Sequence, residues 1–322
     1  MTSPQSVVVG GGIAGLACAR ALAAAGRPVR VLDRGRAPGG RMSSRTLHGR
    51  PVDLGASYLT VGEGSPFAPV VAGWTARGLV RPWTDTFAVA DATGLTGTKT
   101  GPLRHGTPGG LRSLVADLAV GVDLTPGTTV SAVTAPAGGP PTVDGVPAAA
   151  VALALPDPQA ARLLDAPAAG RLQLDPDGWE PVLAVALGFP ARSWPADLHG
   201  VFVNDHPDLG WIADDGDRRG DGAPVLVAHT TAALAARHLE HPEDAVPVVA
   251  AAVRRLLGLA AEPGWSHVQR WSFARPSRPR EAAFGRDGLL GVCGDGWSAP
   301  ARVESAWRSG DALGRALAAD LG

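Results

Sequence analysis

The amino-acid sequence predicts a two-domain α/β fold, in which a domain built on a parallel sheet is interwoven with a second domain built on a mixed, largely antiparallel sheet. Between Val7 and Asp33 an apolar strand, a helix and a second apolar strand follow one another, which is the order that produces parallel strands. From about Gln159 to Gly285 short strands alternate with turns. A strand followed by a helix returns at the C-terminus, so we expect the first domain to be discontinuous in sequence.

The turn between the first strand and the first helix is rich in glycine. Gly10 permits a tight turn, Gly12 lets the backbone approach a pyrophosphate, and Gly15 lets the helix pack closely on the sheet. The helix N-terminus offers free amides and a positive dipole, and Asp33 follows at the spacing where a carboxylate binds a ribose hydroxyl. This unit predicts a dinucleotide site whose residues are Gly10, Gly12, Ile13, Ala14, Gly15, Asp33 and Arg34.

Two further clusters indicate that the dinucleotide is FAD. A second glycine pair at 39–40 is followed by a cation, and a Gly-Asp turn at 294–295 separates an apolar strand from the last helix. We expect the aspartate to bond a ribityl hydroxyl or to reach the pyrophosphate through water, while the helix dipole stabilises negative charge at flavin N1/O2. A plain NAD-dependent dehydrogenase needs neither cluster. The residues assigned here are Gly40, Arg41, Gly294, Asp295, Val303 and Glu304.

Hydrophobic periodicity and turn residues predict the remaining elements. Helices are expected over Leu16–Ala25, Pro66–Gly78, Leu111–Ala119, Gln159–Leu164, His241–Leu259 and Arg302–Leu321. Strands are expected over Val7–Val9, Pro28–Leu32, Leu79–Leu103 (a pair), Ala148–Leu155, Val182–Phe189, Val201–Val203, Val225–His229, Trp265–Phe273 and Leu289–Cys293, with a short one in 43–60, a hairpin in Val122–Thr134 and a turn in Ala135–Pro141. The predicted FAD-binding domain covers 1–60, 105–156 and 285–322, and the substrate domain covers 61–104 and 157–284.

Composition limits the partners. The 322 residues can bury a large core, and 29 basic against 30 acidic residues give no electrostatic reason to expect nucleic acid or an anionic membrane as a partner. No apolar run approaches a membrane span and nothing resembles a signal peptide, so we expect a cytoplasmic protein. Cys18 and Cys293 lie in apolar segments and are expected to be core residues. Neither a disulfide nor a metal site is predicted.

Six segments together resemble a known family: Gly39–Arg45, Asp53–Tyr58, Leu153–Gln159, His229–Thr231, Arg270–Ala274 and Cys293–Trp307. Over almost the whole chain they are similar to the renalase branch of the flavin amine-oxidase superfamily. The resemblance implies a glutathione-reductase/p-hydroxybenzoate-hydroxylase-like FAD-binding Rossmann domain that holds FAD non-covalently. It adds to the FAD residues Met42, Gly55, Ala56 and Val130.

The resemblance also implies an activity and a substrate site. The branch oxidises 2- or 6-dihydro isomers of NAD(P)H to NAD(P)+ by hydride transfer to flavin N5, and O2 then reoxidises the flavin to give hydrogen peroxide. Tyr58, His229 and Trp271 would line the cavity that faces the flavin, the two rings as flat walls and the histidine as a hydrogen-bonding group. An ordinary core role is the alternative for each of these three residues.

Other substrates stay open at this point. Arginines at 218–219 and 275–280 are candidates for binding substrate phosphates, whereas Asp214 and Asp215 would repel phosphate and favour a cation. Lys99 and Tyr58 are the only lysine and the only tyrosine. The chain therefore lacks the second tyrosine of a tyrosine pair, and its lysine lies far from the expected motif, which disfavours a conventional amine oxidase; a Tyr58–Trp271 cage remains possible.

The sequence consequently leaves three functions open. The first is the dihydronicotinamide oxidation, with a small-molecule substrate and O2 as partners. The second is an FAD-dependent amine oxidase or desaturase acting on an amine or an apolar metabolite. The third is a flavin-binding protein without turnover. The sequence does not predict the oligomeric state.

Overall fold

The computed structural model describes residues 4–136 and 139–322 of the chain. The chain folds as two compact units, each assembled from separated parts of the sequence. Unit 1 consists of Met1–Met42, Leu114–Trp179 and Arg275–Gly322, and unit 2 consists of Ser43–Ser113 and Glu180–Ala274.

The strands, in chain order, are β1 Ser6–Val9, β2 Val29–Asp33, β3 Ser44–Leu47, β4 Arg50–Asp53, β5 Arg81–Asp91, β6 Gly94–Gly106, β7 Leu124–Pro126, β8 Val133–Thr134, β9 Thr142–Val143, β10 Val146–Pro147, β11 Val151–Leu153, β12 Trp179–Gly188, β13 Gly200–Val203, β14 Leu209–Asp214, β15 Val225–Thr230, β16 Trp265–Pro276, β17 Gly285–Asp287 and β18 Leu290–Val292. The α-helices are α1 Ile13–Ala24, α2 Ala68–Ala76, α3 Arg112–Ala119, α4 Asp157–Ala161, α5 Ala166–Arg171, α6 Asp215–Arg219, α7 Ala232–Arg237, α8 Val246–Leu257 and α9 Val303–Asp320, and 3₁₀ turns cover Gly40–Met42 and Pro242–Ala245.

Unit 1 is built on a six-stranded sheet in the order β17-β18-β11-β1-β2-β7. All neighbouring pairs are parallel except the edge pair β17–β18. The central strands β1 and β11 are largely apolar, as expected of parallel strands that are covered on both faces. Their side chains join one hydrophobic cluster with residues such as Trp297 and Leu172.

Helices α1 and α9 of unit 1 pack with their backbones close together. A Cβ placed on Gly310 would lie well inside 3.0 Å of the Ala14 carbonyl oxygen, and one placed on Gly314 would meet the Cys18 carbonyl oxygen in the same way. Residues four apart share one face of a helix, so these two glycines form the surface on which α1 rests. The position of α9 is therefore fixed by α1.

Unit 2 contains a seven-stranded sheet in the order β16-β12-β15-β14-β13-β5-β6. The pair β13–β5 is parallel, whereas β12–β15, β14–β15, β13–β14 and β5–β6 are antiparallel. Because side chains alternate between the faces of a strand, Val185 and Leu187 join the cluster that packs on α8. Ala184 and Ala186 point the other way, into a cluster that includes Trp271.

The predicted fold class is confirmed: a parallel sheet and a mixed sheet occur in two units, and most predicted elements lie within a few residues of the observed ones. The hairpin predicted in Val122–Thr134 is wrong. β7 instead extends the parallel sheet beside β2, and β8 pairs with β9 in a small separate sheet. The turn at Pro126-Gly127 was inferred from local sequence, which does not show that β2 is available as a partner. The turn predicted over Ala135–Pro141 includes 137 and 138, which lie outside the described residues.

Two elements that matter for the site, β14 and α6, were missed by the sequence reasoning. β14 is a short apolar run over residues 209–213 that ends at Asp214, and such a run could have identified a buried strand. α6 begins at the acidic stretch, where the Asp214 side chain accepts a hydrogen bond from the Asp217 amide as an N-cap.

The compact units differ from the predicted domain boundaries at four places. Residues 43–60 and 105–113 belong to unit 2, and residues 157–179 and 275–284 belong to unit 1. Within the part of the chain that the structure describes, no helix is both long and apolar enough to cross a membrane.

Candidate functional site

The glycine-rich turn of unit 1 ends β1 and begins α1. Gly10 has a φ of +111°, and a Cβ on Gly15 would overlap the Gly10 carbonyl oxygen, so the tight turn requires glycine at both positions. Gly12 is the N-cap of α1 and makes no side-chain capping hydrogen bond. The first amides of α1, including those of Ile13 and Ala14, have no acceptor within the helix and point to where an anion would bind.

Asp33 and the second glycine pair complete this backbone surface. The Asp33 carboxylate accepts hydrogen bonds from the Gly11 amide and, at 2.6 Å, from the Gly35 amide. The Gly39 amide donates to the Gly11 carbonyl oxygen at 3.1 Å, which places the second glycine pair against the first turn. Asp33 thus braces the glycine turn, and its contact with a ribose stays a prediction.

Arg41 and Asp295 meet although they are far apart in sequence. The two guanidinium nitrogens Nη1 and Nη2 donate to the two carboxylate oxygens at 2.9 and 2.6 Å. The Arg41 guanidinium also lies 5.0 Å from the centre of the Trp179 ring. The Gly294 amide donates to Ser309 Oγ at 3.1 Å, which ties this turn to α9. The N-terminal and C-terminal halves of the predicted FAD site are therefore adjacent in unit 1.

The other predicted FAD residues of unit 1 occupy different surroundings. Val303 is the first residue of α9, and Glu304 is buried in its first turn, where a carboxylate is favourable near the helix N-terminus. Met42 and Val130 are buried, the latter in the cluster beneath the sheet. Arg34 follows β2 with an exposed side chain.

These residues fit a dinucleotide. A Cβ on Gly12 would meet only the Gly40 backbone, at 4.0 Å, so the two glycines leave open space directly at the free amides of α1. Glycine at this position lets the backbone approach a pyrophosphate. The Arg41–Asp295 pair is partly exposed and joins the second glycine pair to the Gly294 turn, so a cation and a carboxylate stand beside these glycines.

The three residues predicted for the substrate lie in unit 2 on one face of its sheet. In the strand ladders His229 stands directly opposite Trp211 on β14 and Ala184 on β12, and such pairs point to the same face. Trp271 belongs to the cluster formed by Ala184 on this face. The Tyr58 ring packs on this face too, 5.8 Å from the ring of Trp211.

Several aromatic residues of this face were missed by the sequence reasoning. Besides Trp211, the rings of Phe87 and Trp83 lie 5.4 and 6.3 Å from the ring of Tyr58. Phe87 and Trp83 come from β5, which was predicted as a strand, but its place beside β13 was not. We call the cluster of Tyr58, Trp83, Phe87 and Trp211 the aromatic face.

The segment that carries Gly55 and Ala56 lies beside this face and is held by side chains. Trp271 Nε1 donates to the Leu54 carbonyl oxygen at 2.6 Å. Trp211 Nε1 donates to Ser57 Oγ at 2.9 Å. The N–H groups of both indoles are therefore used in hydrogen bonds within the protein, whether or not their ring faces also contact a ligand.

The acidic stretch and the neighbouring arginines form a buried ion-pair network. Asp215 is fully buried and contacts three guanidinium groups, those of Arg50 (2.7 Å), Arg218 and Arg219 (3.0 Å). Arg219 also reaches the buried Asp53 at 3.1 Å. Burial raises the pKa of Asp215, but the charges of Arg218, Arg219 and Arg50 outweigh it and lower this pKa to about 2.

This network corrects two expectations drawn from the sequence. Asp214 is also buried and pairs with Arg192 at 2.7 Å, so neither carboxylate of the stretch is available to attract a cation or repel a phosphate. Arg218 and Arg219 are 1% and 3% exposed and paired internally, so they are not phosphate ligands. Local sequence shows the charges but not the partners that neutralise them.

One partly exposed carboxylate stands next to the aromatic face. Asp217 Oδ2 lies 2.6 Å from Trp83 Nε1 and 2.6 Å from His199 Nδ1. The carboxylate therefore orients both rings, and sequence reasoning did not identify this group.

Other possible sites offer less chemistry. Among the described residues, no group of three or more acidic, histidine or cysteine side chains is arranged to hold a metal ion. Cys18 and Cys293 are buried thiols, and burial raises the pKa of Cys293 to about 12, which makes it unreactive. A surface depression at the end of α8 is lined by residues such as Arg254 and Arg255, and it contains none of the predicted site residues.

Comparison with known proteins agrees with this arrangement. Residues 8–72 match the model of an NAD(P)-binding Rossmann-like domain, and residues 76–313 match that of the flavin containing amine oxidoreductases. Polyamine oxidase 2 of Arabidopsis thaliana is 44% identical over 70 residues, which are 21% of this chain and 14% of that protein. Hydroxyneurosporene desaturase of Cereibacter sphaeroides is 48% identical over 60 residues, 19% of this chain and 12% of that protein. The matched part is thus a small share of these relatives.

The fold has solved counterparts over nearly its full length. Wild-type putrescine oxidase bound to putrescine superposes with a TM-score of 0.69 at 16% identity, covering 98% of both chains. At this identity the similarity concerns the fold alone.

Fold and site together define a protein with a Rossmann-type dinucleotide domain and a second, aromatic-lined sheet. The family match covers most of the chain, and the chain belongs to the flavin-containing amine oxidoreductase family. Members of this family contain flavin, so the predicted cofactor, FAD, is confirmed at the level of the family.

Proposed function

We propose that the chain oxidises 2- or 6-dihydro isomers of NAD(P)H to NAD(P)+. FAD, when bound, accepts the hydride at N5 and is reoxidised by O2 to give hydrogen peroxide. Each turnover removes one hydride from the substrate, and O2 takes up its two electrons and its proton together with one further proton from solvent. The observation that carries the proposal is the aromatic face of unit 2 with the imidazole of His229 beside it.

The rings of this face suit a planar heteroaromatic substrate. Tyr58 and Trp83, the partly exposed rings of this face, offer surfaces against which a nicotinamide ring can stack, while Trp211 and Phe87 are buried behind them. His229, opposite Trp211 in the ladder, carries a ring nitrogen able to bond a carboxamide. Since Asp214 and Asp215 are neutralised by arginines, the objection that they would repel a substrate phosphate no longer applies.

The residues of unit 1 would hold FAD without a covalent bond. The amides at the start of α1 would bind the pyrophosphate, Asp33 and the glycine pair at 39–40 would hold the adenosine portion, and Arg41 and Asp295 would hold the ribityl chain. Hydride transfer needs little from the protein beyond orientation and exclusion of water, so a separate acid–base group is not required.

A second candidate is the oxidation of an amine. It is favoured by the similarity to polyamine oxidases and by the aromatic face, because the rings of tyrosine and tryptophan attract cations. Asp217, which is 27% exposed beside Trp83, is an acceptor that an ammonium group could use.

Anaerobic mixing of the flavin-loaded protein with a substrate panel tests both candidates. The panel holds NADH, its 2- and 6-dihydro isomers, NADPH and several mono- and diamines, and loss of flavin absorbance is followed. We expect fast bleaching by the dihydro isomers and slow bleaching by NADH.

The panel also identifies the competing functions. Bleaching by an amine but not by the isomers would overturn the dihydronicotinamide proposal in favour of an amine oxidase. An intact flavin band with every compound would favour a substrate outside both classes or a protein without turnover. Tyr58→Leu, which removes the ring, and His229→Ala, each tested with the accepted compound, then reveal whether the aromatic face and the imidazole beside it bind that compound.

A further inference from the structure

The stretch from Asp53 to Tyr58, called the 53–58 segment below, begins at the end of β4 and then continues outside the strands and helices. Backbone groups in such a stretch must find hydrogen bonds elsewhere, or their burial costs free energy. One such partner is the indole of Trp271, which donates to the Leu54 carbonyl oxygen, and the indole of Trp211 holds the Ser57 side chain by donating to its Oγ. These bonds hold the segment from the sheet side.

Arg218 holds the same segment from α6. Its guanidinium donates to the Ser57 carbonyl oxygen at 2.8 Å and to the Asp53 carbonyl oxygen at 3.3 Å, so one planar group spans both ends of the segment. The side chain is 1% exposed, and the carboxylate of Asp215 balances its charge by direct contact. A lysine has one compact ammonium and does not reproduce this two-point contact.

The helix that carries Arg218 is itself fixed in place. A Cβ on Gly216 would overlap the backbone of Ala223, and one on Gly106 would overlap the Arg218 carbonyl oxygen. α6 then ends at Gly220 with a φ of +87°. Backbones that approach this closely leave α6 little room to shift, so the helix holds the Arg218 side chain in a fixed position.

We propose that Arg218 is a positioning residue that fixes the positions of Gly55, Ala56 and Tyr58 while the flavin is reduced. This inference rests on the proposed role of those three residues at the flavin and the substrate. Arg218 touches neither ligand and acts only through the carbonyl groups of the 53–58 segment.

The test compares Arg218→Met, Arg218→Lys and Trp271→Phe with the wild type, each as flavin-loaded protein. Hydrogen exchange of the peptide covering residues 53–59 reports the order of the segment, and stopped-flow reduction separates the maximal rate from substrate affinity. The substrate is the panel compound that reduces the flavin of the wild-type protein. Failure of the proposed function is therefore seen in the wild type, before any variant is measured. Arg254→Met is the matched control, because Arg254 also pairs with a carboxylate and a carbonyl of unit 2 but does not contact the segment.

We expect Arg218→Met to raise exchange of the 53–59 peptide at least about tenfold and to lower the maximal reduction rate about 10- to 100-fold, with a smaller change in substrate affinity. Arg218→Lys should recover part of both losses. Asp215 keeps two arginine partners in these variants. If Arg218→Met does not fold, Arg218→Lys is compared with the wild type instead, and it should show both changes at a smaller size. Trp271→Phe removes one hydrogen bond of the segment and should raise its exchange less than Arg218→Met does. Unchanged exchange, or raised exchange with an unchanged reduction rate, would overturn the proposal.

Discussion

The carboxylate of Asp215 is buried among the guanidinium groups of Arg50, Arg218 and Arg219. Burial raises its pKa, and the three cations more than reverse this, lowering the pKa from 3.8 to about 2. Because the folded pKa lies below the unfolded one, the ionised carboxylate stabilises the fold fully above about pH 4. That contribution is lost as the pH falls from about 4 toward 2.

Replacing Arg50 by glutamine should weaken this pH dependence. One of the three lowering charges disappears, so the pKa of Asp215 in the folded chain rises and the pH-dependent part of the unfolding free energy shrinks. For the wild type this part is about 2 kcal/mol between pH 4 and pH 2. Urea unfolding followed by tryptophan fluorescence at several pH values measures it.

Arg30→Gln is the control, since Arg30 and its partner Asp123 are both about half exposed and such pairs contribute little. It should follow the wild-type pH curve. Identical pH curves for Arg50→Gln and the wild type would contradict the role given to the cations around Asp215.

Among the secondary-structure elements, the packed helices α1 and α9 join the two ends of unit 1. α1 begins at the glycine turn, and α9 carries Glu304 and Ser309 near the Gly294 turn. Gly310, next to Ser309, is the point where α9 lies against the backbone of α1 at Ala14. The packing of two helices thus sets the distance between two parts of the predicted FAD site.

Gly310→Ala should destabilise the chain by about 1–3 kcal/mol, because the added Cβ overlaps the Ala14 carbonyl oxygen and forces the helices apart. The displaced helix should also bind FAD less tightly. Thermal unfolding and the flavin content after purification measure the two effects. Gly170→Ala on α5 is the matched control, since its Cβ meets nothing within 4 Å, and it should be neutral or slightly stabilising. Equal effects of the two substitutions would show that the close helix contact is not needed.

In the molecule as a whole, unit 1 is assembled from three separated parts of the chain. The residues proposed to bind FAD come mainly from the first and the last of these parts and include Gly12, Asp33, Arg41 and Asp295. A ligand that binds only the folded chain stabilises it by mass action, so FAD should contribute to the stability of this assembly.

Removal of FAD should therefore lower the unfolding temperature, and added FAD should restore it in a concentration-dependent way. At a hundredfold excess over the dissociation constant the gain is about 2.7 kcal/mol. Asp33→Asn should show a smaller gain at the same FAD concentration, because asparagine offers one acceptor oxygen where the carboxylate now accepts from two amides. Asp123→Asn, at an exposed pair, serves as control. An unfolding temperature that does not respond to FAD would exclude unit 1 as its binding site.

Local sequence was sufficient to predict the first part of the parallel-sheet unit and a dinucleotide site. The order of strand, glycine turn, helix and acid from Val7 to Asp33 is local, and each residue type there follows from the backbone geometry that a pyrophosphate requires. Alternation and turn residues likewise predicted the β5–β6 pair. Such features need only neighbours within about thirty residues, the length of one βαβ unit, so they can be inferred without the fold.

Only the folded chain reveals what the acidic stretch, the buried arginines and the tryptophans do. In the sequence, Asp215 is a candidate for attracting a cationic substrate, but in the fold its carboxylate is paired with arginines. Arg218 meets Ser57 across 161 positions, and Trp271 meets Leu54 across 217. A charge or an indole has the same local signature whether it faces a ligand or a carbonyl group, and the packing of distant strands determines which of these it meets.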